Sequence, residues 1–202
     1  MKTFRTLIPV IILGCLAAQS FTGCDVTRQA KRASNLAKCE FRIRQVEHVK
    51  LAGIDFDNVK SVNDLNFMDA AHVMAGLTGP VFPLTLQVDV EGHNPNNSEA
   101  GLNRIEWILF IDDIRMTDGV VEQPFIIPPM GVQTVPVQVN VDLKQVLSGK
   151  PANAMVNFCS NLAGVGKQPT RFSVKLKPTI YVAGMKITYP GYITVKTEFT
   201  AL

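Results

Sequence analysis

Three histidines, a glycine-lysine loop, a pair of adjacent acids and four cysteines are the residues of this 202-residue chain that could do chemistry. Histidine serves as a proton carrier or as a zinc ligand, and a zinc site needs several ligands at a spacing that converges on one point. His48, His72 and His93 fall in separate predicted elements, and none has a His-x3-His or His-Glu-x-x-His partner. No metal centre or histidine base is expected from them. Gly164-Val165-Gly166-Lys167 has the flavour of a phosphate loop, but Asn161 stands where the first glycine belongs. Gln168 occupies the place of the hydroxyl that would hold magnesium, so that reading fails. Gly-x-Ser-x-Gly, the nucleophile elbow, does not occur. Asp112-Asp113 lies at a predicted turn, where two solvated carboxylates are ordinary turn chemistry. Neither an enzyme nor a cofactor is expected.

The cysteines carry more. Cys-x-x-Cys is missing, which removes the usual redox dithiol and zinc-knuckle arrangements. Lys2 and Arg5 precede an apolar run from Leu7 to Ala18, followed by small residues, as in a secretory signal peptide. That run is short of the roughly 20 residues needed to span a bilayer comfortably. Phe21-Thr22-Gly23-Cys24 then looks like a bacterial lipobox, with Phe21 in place of the usual leucine. Residues 1–23 are therefore expected to be a lipoprotein leader and Cys24 to be acylated, tethering the chain to a membrane of a bacterial cell envelope. Cys39 and Cys159 remain. In an oxidising compartment they are available for a bridge contributing about 4 to 5 kcal/mol, or else stay as two unpaired thiols.

Loss of the leader takes Lys2 and Arg5 from the 20 basic residues, leaving 18 against 17 acids. A nearly neutral mature chain makes no case for nucleic acid, which asks for a clustered basic face. The polar stretch 24–38 reads as a tether, with Arg28, Lys31, Arg32 and Lys38 placed to meet an anionic surface or simply water.

The elements that must position these residues follow from periodicity. Composition is that of a globular domain, 47% hydrophobic and 18% charged, and residues 39–202 suit one core. Phe82–Gly92, Leu102–Ile111 and Val135–Val141 alternate apolar and polar residues, the mark of half-buried strands. A first strand is expected over Cys39–Leu51, bulged near Gln45, where Val46 and Val49 break the period of two. Arg115–Phe125 reads as a strand interrupted at Asp118-Gly119, and Ile126–Gly131 as a loop. Phe172–Lys177 and Ile193–Phe199 look like closing strands. Pro136 marks its strand as an edge or a bulge. Phe67, Ala70, Ala71 and Met74 recur at helical spacing between an Asp64 or Asn66 cap and Gly76 or Gly79, predicting a short helix with that stripe in the core. Leu143–Ser148 reads as one helical turn ended by Gly149-Lys150-Pro151, and Ala152–Leu162 suits a helix or a buried strand equally. Strands without intervening long helices predict an all-β, antiparallel sandwich with one or two short helices.

The core stretch 84–143 resembles the late embryogenesis abundant type 2 domain, also called the water stress and hypersensitive response domain. The resemblance rests on an alternating strand running into Asn94-Pro95-Asn96, a following strand ending near Asp112-Asp113, Gly119 shortly afterwards, and Pro128 through Gly131 leading into Val135-Pro136-Val137. Family members often carry Asp-Gly at that hairpin, where this chain has Asp113. The resemblance implies an immunoglobulin-like or fibronectin-like sandwich, association with desiccation or stress tolerance, and no catalytic residues. Asn94, Pro95, Asn96, Gly119, Pro128 and Gly131 are then structural positions. Two functions are open: a lipid-anchored protective or interaction module meeting an envelope protein, or a carrier or sensor holding an acyl chain or other apolar ligand between its sheets.

Overall fold

A computed structural model describes residues 25–57, 59, 62–64, 66–148, 157–158, 160–161, 166 and 168–199. The leader, Cys24, Cys159 and most of 149–167 lie outside the described residues. Two antiparallel sheets make the body. One has the order β2 (Ile54–Asp55), β1 (Glu40–Leu51), β3 (Pro83–His93), β8 (Val132–Asp142). The other runs β10 (Met185–Thr188), β9 (Thr170–Val182), β5 (Arg104–Ile111), β6 (Ile114–Val121), and β11 (Ile193–Phe199) shares the β10 edge of β9. A small third ladder joins β4 (Ala100–Leu102) to β7 (Phe125–Ile127). The alternating residues Leu84, Leu86, Val88 and Val90 of β3 and Ile105, Trp107, Leu109 and Ile111 of β5 point into one shared core. Each such buried aliphatic side chain contributes about 1.5 to 3 kcal/mol.

The departure from alternation in β1 has a physical account. Ile43, Val46 and Val49 are three apart, so keeping all three toward the core requires one extra residue at each step. The ladder with β3 slips between Ile43 and Gln45 and again between Glu47 and Lys50, supplying both. His48 takes a left-handed φ of 54° at the second slip. The amides of His48 and Val49 there donate to the Asp57 carboxylate at 3.0 and 2.9 Å. β8 is an edge strand, as Pro136 requires, and Pro136 pairs with Asp89 in an otherwise unbroken ladder.

Asp112 and Asp113 form a two-residue hairpin between Ile111 and Ile114, both at positive φ, 46° and 65°. This turn is tight without the family's glycine, because aspartate tolerates the left-handed region. Gly119 does not interrupt β6. It pairs with Trp107, and a Cβ there would sit 2.5 Å from Cζ2 of the indole. The expected loop 126–131 begins instead with β7, too short to show a period.

Helix α1 covers the polar stretch over 25–36, α2 is Phe67–Thr78 and α3 is Leu143–Leu147. Asn66 caps α2 through a reciprocal capping box with Asp69, and Gly79 ends it. The expectation that the Phe67–Met74 stripe is core fails: Phe67 is 86% exposed and Met74 57%. The end that packs is around Gly76, where a Cβ would lie 2.4 Å from the Phe82 ring. Glycine allows that approach yet gives no hydrophobic signal in the sequence.

Candidate interaction site

Of the residues singled out in the sequence, Asn94, Pro95, Asn96, Pro128 and Gly131 come together at one end of the sheets. Where β3 stops, Asn94 is fully buried, and its Nδ2 lies 3.0 Å from Ser98 O, 3.1 Å from Ile127 O and 3.0 Å from Pro128 O. Its Oδ1 accepts from the backbone and side-chain nitrogens of Asn96, at 3.0 and 2.7 Å. Its own amide donates to Gly131 O at 2.9 Å. Pro95 separates the two asparagines and has no amide to satisfy. The Pro128–Gly131 turn closes with Gly131 N donating to Pro128 O, while Met130, at φ 50°, donates to Asn96 O. Two loops distant in sequence are thus sewn together by one side chain. Buried amides are stable only when their polar atoms are satisfied in this way.

The same cluster holds α1. Asn35 is buried, and its Nδ2 donates to Ser98 O, Ser98 Oγ and Glu99 O, at 3.1, 2.8 and 2.8 Å. Asn96 Nδ2 returns a bond to Asn35 O at 3.1 Å. Leu36 enters the core, Arg32 Nε pairs with Glu99 at 2.9 Å, and Gln29 Oε1 accepts from Ala183 N at 3.0 Å. The tether is therefore not a free spacer over 25–36. Its outer face is polar and its last turn is built into the domain.

The three histidines are not gathered into one site. His48 Nδ1 sits 3.1 Å from Asp57 and His93 Nδ1 3.7 Å from Glu40, while His72 lies on α2, so the three stay apart. Among the described residues no group of three or more His, Cys, Asp or Glu side chains could hold a metal. Asp112 is occupied by structure: its Oδ1 accepts from Arg171 N at 2.9 Å and its Oδ2 from Asn157 at 3.2 Å. Asp113 pairs with the Arg171 guanidinium at 3.0 Å. Asn161 donates to Gln168 O and Thr170 Oγ1, at 2.7 and 2.8 Å, which is loop scaffolding. The remainder of the glycine-lysine loop, apart from Gly166, lies outside the described residues. On the outer face of the second sheet Glu106 is held below the usual carboxylate range, first by its hydrogen bond from Arg104, with Lys186 and Lys177 adding to it.

Cys39 is a free, half-buried thiol whose Sγ lies 3.5 Å from Asn35 O, and burial pushes its pKa up to about 11. Cys159, the other half of the possible bridge, lies outside the described residues. Phe158 packs edge-on against Phe172 and Asn161 bonds Thr170, at the start of β9.

Sequence reasoning missed Asn35, Glu99 and Asp57. Each acts through partners far along the chain or through a bulge that periodicity only hints at. A cleft of 210 Å³ opens between α1, β4, β7 and the β9–β10 turn, bounded by Gln29, Arg32, Phe125 and Tyr181. Between the sheets the side chains of Leu86, Val88, Leu109 and Val174 are each at most 1% exposed.

Comparison with known proteins places residues 84–191 in a match to the family model LEA_2, described as late embryogenesis abundant protein. Among solved structures, a protein from Arabidopsis thaliana is similar at 15% identity and TM-score 0.45, over 80% of this chain and 80% of its own. A protein described as late embryogenesis abundant is similar at 16% identity and TM-score 0.41, over 96% of this chain and 90% of its own. A protein from Archaeoglobus fulgidus follows at 14% identity and TM-score 0.36, over 62% and 90%. No curated protein matches the chain.

Proposed function

Because this chain belongs to the late embryogenesis abundant family through residues 84–191, we propose that it is a lipid-anchored, non-enzymatic protein of a bacterial cell envelope with a stress-type protective or interaction domain. In this reading residues 1–23 are a lipoprotein leader, Cys24 carries the lipid, and the two facing sheets form an immunoglobulin-like or fibronectin-like sandwich. The observation that carries it is the use made of the polar residues. Asn94, Asn96, Asn35 and Asp112 spend their hydrogen-bonding capacity on backbone and on one another. Side chains so engaged are scaffold, whereas a catalytic group must be aimed at a cavity where substrate can meet it. The near-complete burial of Leu86, Val88, Leu109 and Val174 between the sheets supports a module that acts by its surface over one that carries an acyl chain inside.

Drying tests the protective role. A labile enzyme dried with an equal mass of this protein should recover several-fold more activity on rehydration than one dried with serum albumin. Equal recovery in the two would refute the protective reading.

A further inference from the structure

The hairpin of β9 and β10 turns at Ala183 and Gly184, both at positive φ, and gathers exposed apolar side chains. Tyr181, Met185, Ile187, Tyr189 and Tyr192 are all exposed, Met185 at 64%. They include all three tyrosines of the chain. Lysines stand among them: Lys186 pairs with Tyr181 across the ladder, and Lys177 Nζ lies 5.5 Å over the Tyr192 ring. Tyrosine has an apolar body and a polar tip, and lysine can lay its stem along apolar surface while its ammonium stays in water. Both suit the boundary between lipid and water, where tyrosine is enriched.

Position supplies the second argument. The Gln29 bond to Ala183 fixes α1 against the tip of this hairpin. Cys24 precedes Gln29 by five residues, which span about 7.5 Å as helix and at most about 18 Å extended. A lipid on Cys24 would hold the bilayer within reach of the hairpin. The exposed Phe67, Met68 and Met74 of α2 have no such relation to the anchor, since α2 packs at Phe82 and Ala52, beyond the opposite ends of β1 and β3.

We propose that the β9–β10 hairpin is a membrane-contact surface. It rests on the anchored reading above. The docked α1 sets its orientation, Met185 beside the tip reaches the acyl boundary, and Tyr181 with the residues behind it occupies the headgroup layer. The acyl chains on Cys24 supply the attachment, and an interfacial patch fixes which face of the domain looks away from the membrane.

Photo-crosslinking tests this on the native full-length protein, reconstituted in vesicles of phosphatidylethanolamine and phosphatidylglycerol that contain a diazirine-bearing phospholipid. After illumination, lipid adducts should concentrate on the tryptic peptides 176–186 and 187–196, several-fold above the peptide that holds Met68 and Met74. The same digest reads the state of Cys24. An acylated Cys24 with a hairpin free of adducts overturns the membrane contact and leaves the anchor standing. An unmodified Cys24 overturns both. A parallel sample treated with an amine-reactive bifunctional crosslinker that links Lys186 to Lys186 of another copy, while the hairpin stays free of lipid adducts, identifies a second copy as the occupant and also overturns it.

Discussion

Single side chains decide the local geometry at three places. Gly119 exists because the indole of Trp107 lies across β6, leaving 2.5 Å for a Cβ where two carbons need about 3.5 to 4 Å. Gly119→Ala should cost about 1 to 3 kcal/mol, the usual penalty of overpacking. A lowered urea midpoint with a shifted Trp107 emission is the expected result, and an unchanged midpoint would contradict the packing described. Cys39 offers a pH-dependent check. Its folded pKa is raised above the ordinary thiol value, so the protonated form is favoured in the fold. That contribution is present below the ordinary thiol pKa and lost as pH rises through about 11. At neutral pH the thiolate is scarce, and iodoacetamide should label Cys39 slowly in the native protein and rapidly once it is unfolded. Equal labelling rates would disprove its burial. Gly119 and Asn94 were legible in the sequence through their place in a motif. Asn35 was not, because its partners Ser98 and Glu99 lie more than sixty residues away.

At the scale of elements, alternation revealed β3, β5 and β8 because each has one face buried, and the period of two follows from that. β10 has four residues and β7 three, too few for any period to register. In β1 the spacing of three signalled a bulge, and the structure contains two. α2 shows where periodicity misleads: an apolar stripe at helical spacing marks a face but does not say that another element covers it. Its capping box was readable, since Asn66 and Asp69 satisfy backbone donors within the same turn. α1 looked like a spacer because its composition is polar, yet two of its last residues, Asn35 and Leu36, are buried. Asn35→Ala should therefore loosen α1 while the sheets stay folded. Hydrogen exchange should show lost protection across 25–36, with the amides of β3 and β5 unchanged. Concerted loss of protection in the sheets would mean that α1 belongs to the cooperative core instead.

Taken whole, the molecule is a pair of antiparallel sheets over one core, tied at one end by an asparagine cluster that also grips the segment leading to Cys24. That linkage gives the anchor a mechanical meaning: a lipid on Cys24 would hold a rigidly oriented domain, since few residues separate it from the docked helix. Architecture was readable in the sequence because burial imposes a pattern on every strand. Function was less so, because an interaction surface has no fixed spacing of acids, bases or nucleophiles. The claim that ties the parts together is attachment through Cys24, and mass spectrometry of the native protein extracted from its membrane addresses it directly. The account predicts a mature N-terminus at Cys24 carrying acyl chains. A chain still starting at Met1, or one with an unmodified Cys24, would contradict it.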